Sequence, residues 1–592
     1  MTLNTGDTSG KTATLSDMLK VINSAESSGD STGTPVAFNF LRNFTIEGIE
    51  PFIRYHCLFS GLKPKITFGN YDMAHQEVLD KGSHLYRSPP DIIAAALYLD
   101  TYIPDGWRAA WRADEVMIGL SGLFADIAQN SDAIIVVNTF VPPFYSDFGI
   151  TTVTGSSSHH NEVLQLNQLI RGHVGSNPAR FVLADWERFV RLLGANETMD
   201  YRFWYMSKAP FKKDFLHLYA LELVKVARAL KGKAKKCLIL DCDNTLWGGV
   251  VAEDGLQGVK LDRHSYPGNI FYEFQKSIQR LHERGVLIAI CSKNNEQDVW
   301  DVLDGHPDCL LKREHLSAWR VNWSDKASNI RSLAAELNLG LDSFVFVDDS
   351  PVECGLVREM LPDVTVLQVP EKLFTYPQLL NRDGLFDTLA LSAEDRQRSQ
   401  MYRNEAKRRY AQAKFETLDH YLASLSLAIT VHRIKREEVP RVAQLTQKTN
   451  QFNLTTRRYS EAKIAALSTN PDWAVISLFV RDKFGESGLT GVLIATREGG
   501  TGIIDSFLMS CRILGRNIEK SFVAEALAIL ERTWRIKAWR AEYIPTPKNQ
   551  QVAEFWPSIG FHEIDSQDGH IRYELPFPLP VLEPITYIAI EE

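Results

Sequence analysis

The chain has 592 residues, 44% of them hydrophobic and 23% charged, and a net charge of -8. A single core stops growing near ~250–300 residues, so two or three domains are expected. The acidic balance and the lack of a long Lys/Arg block speak against nucleic acid as the main partner, because a phosphate backbone demands a basic face.

The first twenty residues are polar and lack the apolar core of a signal peptide. No apolar run approaches the ~18 residues of a membrane span. A soluble, cytoplasmic protein with no membrane partner is expected. Residues 1–35 read as a flexible tail, because 23–34 (NSAESSGDSTGT) are rich in Ser, Gly and Thr. From 36 to 230, apolar runs at 64–69, 91–100, 132–140 and 179–186 alternate with helical stretches, which predicts an α/β domain of parallel strands.

A second α/β unit is expected over 231–385. The strand-like run CLIL leads into DCDNT, and further strands are predicted at 286–292, 343–349 and 364–370, separated by helices. Residues 386–426 are charged and helical, and are expected to bridge domains. From 427 to 592, strand and hairpin patterns precede a long helix at 518–534, which predicts an α+β domain.

Asp241 and Asp243 lie two residues apart at the end of an apolar strand, so alternation aims both to one side. Open parallel sheets bind ligands beyond the carboxyl ends of their strands. Neighbouring carboxylates repel, and a hard cation with oxygen ligands, Mg²⁺ above all, relieves this and neutralises phosphate. Ser292 and Lys293 follow a second strand, Asp348 and Asp349 a third, and Lys326 opens a helix. Each feature alone is common; DxDxT, strand-Ser, Lys and strand-DD in this order are specific.

These residues resemble the haloacid-dehalogenase superfamily. The resemblance implies Asp241 as nucleophile, forming an aspartyl-phosphate, and Asp243 as general acid/base whose backbone carbonyl also meets Mg²⁺. It implies Thr245 and Ser292 as phosphate ligands, beside Asn244. Lys326 or Lys293 would pair with phosphate, Asp348 would bind metal, and Asp349 would support it. Further stretches, 241–255, 322–354, EDRQRSQMY (394–402) and QKTNQFNLTTRRYS (447–460), resemble the FkbH-like branch.

That branch implies 1,3-bisphosphoglycerate, a small phosphorylated three-carbon acid, as substrate. The glyceryl group would pass through a cysteine thioester to the phosphopantetheine of an acyl carrier protein, for polyketide and antibiotic biosynthesis. Seven cysteines are scattered without CxxC spacing, which argues against a disulfide framework or a zinc site. Cys242, between the aspartates, is the first candidate for the thioester, with Cys291 and Cys354 as alternatives. Strand parity turns Cys242 away from the aspartates, unless the chain leaves strand geometry there.

The flanking regions resemble SGNH hydrolases (36–230) and GNAT acyltransferases (427–592). The hydrolase signature is degraded: RNFTIEG (42–48) replaces the nucleophile block, and the adjacent residues Ser158, His159 and His160 cannot face one another as a triad. In the C-terminal region Arg512, Gly515 and Arg516 resemble a pyrophosphate loop suited to the carrier's phosphopantetheine. Asn549 would shape that pocket. A plain Mg²⁺-dependent phosphatase and a scaffold with a vestigial site remain alternatives, and the intact acid set speaks against the second.

Overall fold

The computed structural model describes residues 14–27, 33–103, 110–145, 158–381, 383–389, 401, 404, 408, 415, 417–510, 513–567, 569–576 and 585–591. The chain divides into two compact units at residues 233/234.

The N-terminal unit holds five parallel strands: β1 (Thr34–Arg42), β2 (Leu62–Phe68), β3 (Ile92–Ala96), β4 (Ile134–Asn138) and β5 (Phe181–Ala184). Their order is β2-β1-β3-β4-β5. β3 and β4 are buried along their whole length, as continuous apolar runs covered on both faces must be. The expected flexible tail is corrected in part. Residues Leu15–Ser27 form a helix that buries Met18 and Ile22. Those two stand one helical turn apart, and Thr14 and Asp17 cap each other's backbone N–H groups at the start. The Ser-rich composition hid that spacing.

The second unit contains two sheets. One is parallel, with β6 (Cys237–Leu240), β7 (Leu287–Ser292), β8 (Leu316–Val321), β9 (Phe344–Asp348) and β10 (Thr365–Gln368). Its order is β10-β9-β6-β7-β8. β8 escapes the sequence reading because it is an edge strand with Trp319 exposed, so LSAWRV lacks a continuous apolar run. β6, β7 and β9 are fully buried. Their carboxyl ends converge, and the chain there must turn out of the sheet into polar loops.

The other sheet comprises β11 (Leu427–Arg433), β12 (Trp473–Asp482), β13 (Gly485–Glu498), β14 (Thr501–Met509), β15 (Ala538–Tyr543), β16 (His562–Gln567), β17 (His570–Pro576) and β18 (Ile588–Glu591). Strands β11 to β14 form an antiparallel meander. The helix Ile518–Glu531 carries the chain from β14 to the parallel β15. Much of the expected bridge over 386–426, including 394–400 and 402 of EDRQRSQMY, lies outside the described residues. Among the described residues no helix is long and apolar enough to cross a membrane.

Candidate active site

β6 ends at Leu240, and Asp241 keeps one more ladder bond, its N–H donating to the Val347 carbonyl at 3.0 Å. The chain then curls. The Thr245 and Leu246 N–H groups both donate to the Cys242 carbonyl, at 3.1 and 2.8 Å. Asn244 takes the left-handed conformation (φ 54°), which Asn tolerates better than most residues. Its side-chain oxygen accepts from the Gly249 N–H at 2.8 Å, so Asn244 ties the loop together and is spent on it rather than on phosphate.

The curl sends the two aspartates to different work. Asp241 is buried, and Lys326 Nζ lies 2.8 Å from its Oδ1. The same ammonium bonds the Asp348 carboxylate. Oxygens of Asp241, Asp348 and Asp349 all lie within 4.8 Å of one another. One ammonium cannot neutralise three carboxylates. Burial and the Asp241 charge hold Asp348 above the usual carboxylate range, and the same causes raise Asp349. Burial works against the Lys326 ammonium, yet Asp241 and Asp348 outweigh it and keep it firmly charged. An all-oxygen, net-negative cluster fits a hard divalent cation.

The Asp243 carboxylate is occupied by other partners, which leaves its backbone carbonyl as the group expected at the metal. Its Oδ1 accepts from the Trp247 indole at 2.9 Å and the Val251 N–H at 3.1 Å, and its Oδ2 from the Asn294 amide at 2.9 Å. Only its backbone carbonyl remains as a metal donor. Burial raises its carboxyl above the ordinary value, against the hydrogen bonds from Val251 and Trp247. A raised, well-oriented carboxyl suits a proton donor.

Thr245 is fully buried, and among the described residues its hydroxyl has no hydrogen-bond partner. Such an orphan costs about 1–3 kcal/mol unless a ligand supplies the partner. Its carbonyl accepts from the Tyr376 hydroxyl at 2.9 Å, which fixes the turn from below. Ser292, at the end of β7, is buried too. Lys293 is drawn away: its ammonium bonds Glu353 Oε1 at 2.6 Å, which leaves Lys326 as the cation on Asp241. Asn294, Trp247 and Tyr376 went unnoticed in the sequence. Asn294 alone left a signal, two residues beyond Ser292 in CSKNN.

Cys242 does not suit an acyl carrier, a second correction. It is fully buried in the apolar cluster around Leu238, Leu246 and Val345. Burial first, then Asp241, push its thiol well above the ordinary range. Cys291 and Cys354 are also buried, each pushed by burial to about 12. Cys511 lies outside the described residues.

The matches to known proteins fit this geometry. Residues 236–364 match the family model for NLI interacting factor-like phosphatase. A crystal structure of the N-terminal part of BF1531 from Bacteroides fragilis, containing a phosphatase domain complexed with Mg, is 25% identical, with a TM-score of 0.57. The match covers 64% of this chain and 100% of that one. Residues 236–364 form a phosphatase domain of the haloacid-dehalogenase type. No curated protein matches the chain. The ribosomal-protein-S18-alanine N-acetyltransferase from Escherichia coli aligns over 26% of this chain and 98% of its own, at 13% identity and a TM-score of 0.21. The paia N-acetyltransferase from Thermoplasma acidophilum, in complex with coenzyme A, aligns over 25% and 99%, at 16% identity and a TM-score of 0.19. At such TM-scores neither bears on the fold.

Outside the phosphatase domain several of the residues singled out in the sequence serve local structure. Ser158 caps the helix His159–Ser176 by accepting from the Asn161 N–H at 3.2 Å. Arg516 is buried and lies 3.3 Å from Asp482 Oδ2, which Arg408 also holds at 2.7 Å. Asn549 is fully buried; its amide donates to the Asn453 and Ile544 carbonyls and its oxygen accepts from the Thr546 N–H. Arg516 is thus turned to Asp482 rather than to an anion, and Asn549 is held by backbone groups. Gly515 takes a positive φ of 77° in the turn before the helix. Arg512 lies outside the described residues.

Proposed function

We propose that the chain is an Mg²⁺-dependent phosphoryl-transfer enzyme that takes the phosphates from 1,3-bisphosphoglycerate and delivers the glyceryl group to an acyl carrier protein. The observation that carries its phosphatase core is the Lys326 bridge between Asp241 and Asp348 beside the orphaned Thr245 hydroxyl. The FkbH-like stretches support the substrate and the carrier.

The Asp241 carboxylate attacks phosphorus in line, and the ester oxygen leaves with a proton from Asp243. Trp247, Val251 and Asn294 hold Asp243 in place for this. Water then attacks the aspartyl-phosphate and returns its proton to Asp243. Thr245 and Ser292 donate to the phosphoryl oxygens, and Lys326 stays on the nucleophile throughout. Asp241, Asp348, Asp349 and the Asp243 carbonyl would hold Mg²⁺, which neutralises phosphoryl charge.

A carrier thiol attacking the acyl carbon expels one phosphate as the acyl C–O bond breaks, and the remaining phosphate ester is hydrolysed at Asp241. The glyceryl group does not pass through Cys242, Cys291 or Cys354, because each thiol is buried and hard to ionise. The GNAT-like and SGNH-like regions serve carrier handling. Intact-protein mass spectrometry with Mg²⁺, fresh 1,3-bisphosphoglycerate and a phosphopantetheinylated carrier tests this reading. A glyceryl adduct on the carrier, with both phosphates released, is expected. Phosphate release with no adduct would reduce the chain to a phosphatase. Repeating the assay with Cys511→Ala separates a relay through that cysteine from direct transfer.

A further inference from the structure

The helix Tyr201–Ser207 in the N-terminal unit buries none of its residues, although its sequence is YRFWYMS. Tyr205 is 79% exposed, Met206 74%, Tyr201 50% and Phe203 42%. Tyr145 is equally open, and with Tyr205 it lies near enough to perturb the Tyr201 phenol. Scattered exposed apolar residues are ordinary, but several exposed aromatic and apolar residues gathered on one short helix mark an interaction surface.

The helix is also held unusually firmly for one that contributes no core. Asp200 accepts from the Phe203 N–H at 3.1 Å at its start. At its end Lys208 sits in the left-handed region (φ 55°), a costly place for lysine, and its N–H donates to the Trp204 carbonyl at 3.0 Å. Thr45 clasps the same end, its N–H donating to the Lys208 carbonyl at 2.8 Å and its hydroxyl to the Ser207 carbonyl at 2.6 Å. The Asp200 N–H donates to the Pro210 carbonyl at 2.7 Å. Rigid presentation of aromatic side chains lowers the entropy cost of docking.

The rim decides the kind of partner. The Arg202 guanidinium lies 4.6 Å from the Phe203 ring centroid and the Lys208 ammonium 4.3 Å from that of Trp204. Both are exposed, and among the described residues neither makes an ion pair. The chain as a whole carries -8, so this basic rim runs against the global sign. An acidic partner repelled by the whole molecule would be drawn to this spot.

We propose that the exposed part of this helix, where Tyr201, Phe203, Tyr205 and Met206 stand among the cations Arg202 and Lys208, docks an acidic surface of the acyl carrier protein; this rests on the carrier-loading reading above. The aromatic residues supply the contact and the two cations steer the approach. The assay uses the full chain and a phosphopantetheinylated acyl carrier protein, with binding followed by biolayer interferometry at two salt concentrations. Tyr205→Ser/Met206→Ser is expected to weaken carrier binding about tenfold or more. Arg202→Glu/Lys208→Glu is expected to weaken it and flatten its salt dependence. Carrier-independent phosphate release should be unchanged in both, which shows that the variants are folded.

Unaltered carrier affinity in both variants, with the wild type binding, would overturn the docking face and leave carrier loading standing. A wild-type chain that neither binds nor loads the carrier would overturn carrier loading, and the docking face with it. A wild-type dimer that the Tyr205/Met206 variant dissociates would assign the face to a second copy and overturn the proposal.

Discussion

At the carboxyl end of β6 three carboxylates cluster with one ammonium, and in the loop that follows the Thr245 hydroxyl has no partner among the described residues. Near the turn before the helix Ile518–Glu531, charges are just as dense, yet they are matched. Asp482 is held by Arg408 and Arg516, and farther along the same sheet Arg457 bonds both Asp505 and Glu542. The first arrangement is deficient in positive charge and in donors, so a bound cation and anion would stabilise it. In the second each of these carboxylates meets an arginine, although Glu519 Oε2 at the head of that helix has no hydrogen-bond partner among the described residues. Neither charge density nor a lone unpartnered atom marks a site; a surplus of carboxylates converging on one ammonium, in the same loop cluster as a buried unpartnered hydroxyl, does.

Five substitutions break or sharpen that contrast. Asp241→Asn should reduce phosphate release below detection while the chain stays folded, as a colorimetric phosphate assay and circular dichroism would show. Release at the wild-type rate would remove Asp241 as nucleophile. Lys326→Met should also stop turnover, and it leaves Asp241 and Asp348 facing each other unpaired. A loss of about 3–5 kcal/mol in metal-free denaturant unfolding is expected, partly recovered on adding Mg²⁺. Asp243→Asn should lower kcat by roughly 10²–10⁴-fold, the usual range for a general acid, with Mg²⁺ affinity by calorimetry nearly unchanged because its carboxylate stands outside the metal set.

Arg516→Ala falls on the satisfied side of the comparison. It should cost about 2 kcal/mol, since Arg408 still holds Asp482, and leave phosphate release as it was. A large fall in release would mean that the C-terminal sheet reaches into the chemistry. Cys242→Ala should have the smallest effect: about 1 kcal/mol of stability from a small buried void, with phosphate release and carrier loading within twofold of wild type. Loss of loading with release intact would reinstate Cys242 as the thioester carrier.

Much of the phosphatase site is legible in the sequence because each member ends an apolar strand or opens the next helix. Asp241, Ser292 and Asp348 follow buried runs, and a parallel sheet gathers such ends on one edge. What escapes is what depends on distant partners. Tyr376 reaches the Thr245 carbonyl from 131 residues away, and Asp482 meets Arg516 from 34 residues before it; neither leaves a local pattern. Parity turned Cys242 away from the aspartates, and the buried thiol agrees. It left out the partners that fix Asp243, because the left-handed Asn244 just beyond it curls the chain so that Trp247 and Val251 reach its carboxylate. The helix Leu15–Ser27 was lost to composition, its Met18–Ile22 spacing outweighed by the Ser and Gly that follow.

The most direct test of the account is to trap the covalent intermediate. The enzyme is quenched in acid during turnover of 1,3-bisphosphoglycerate with Mg²⁺, then digested and mapped by mass spectrometry. A phosphoryl group on the peptide bearing Asp241, absent from Asp241→Asn and accumulating in Asp243→Asn, is predicted. Turnover with no phosphorylated Asp241 in either the wild type or Asp243→Asn would contradict the account.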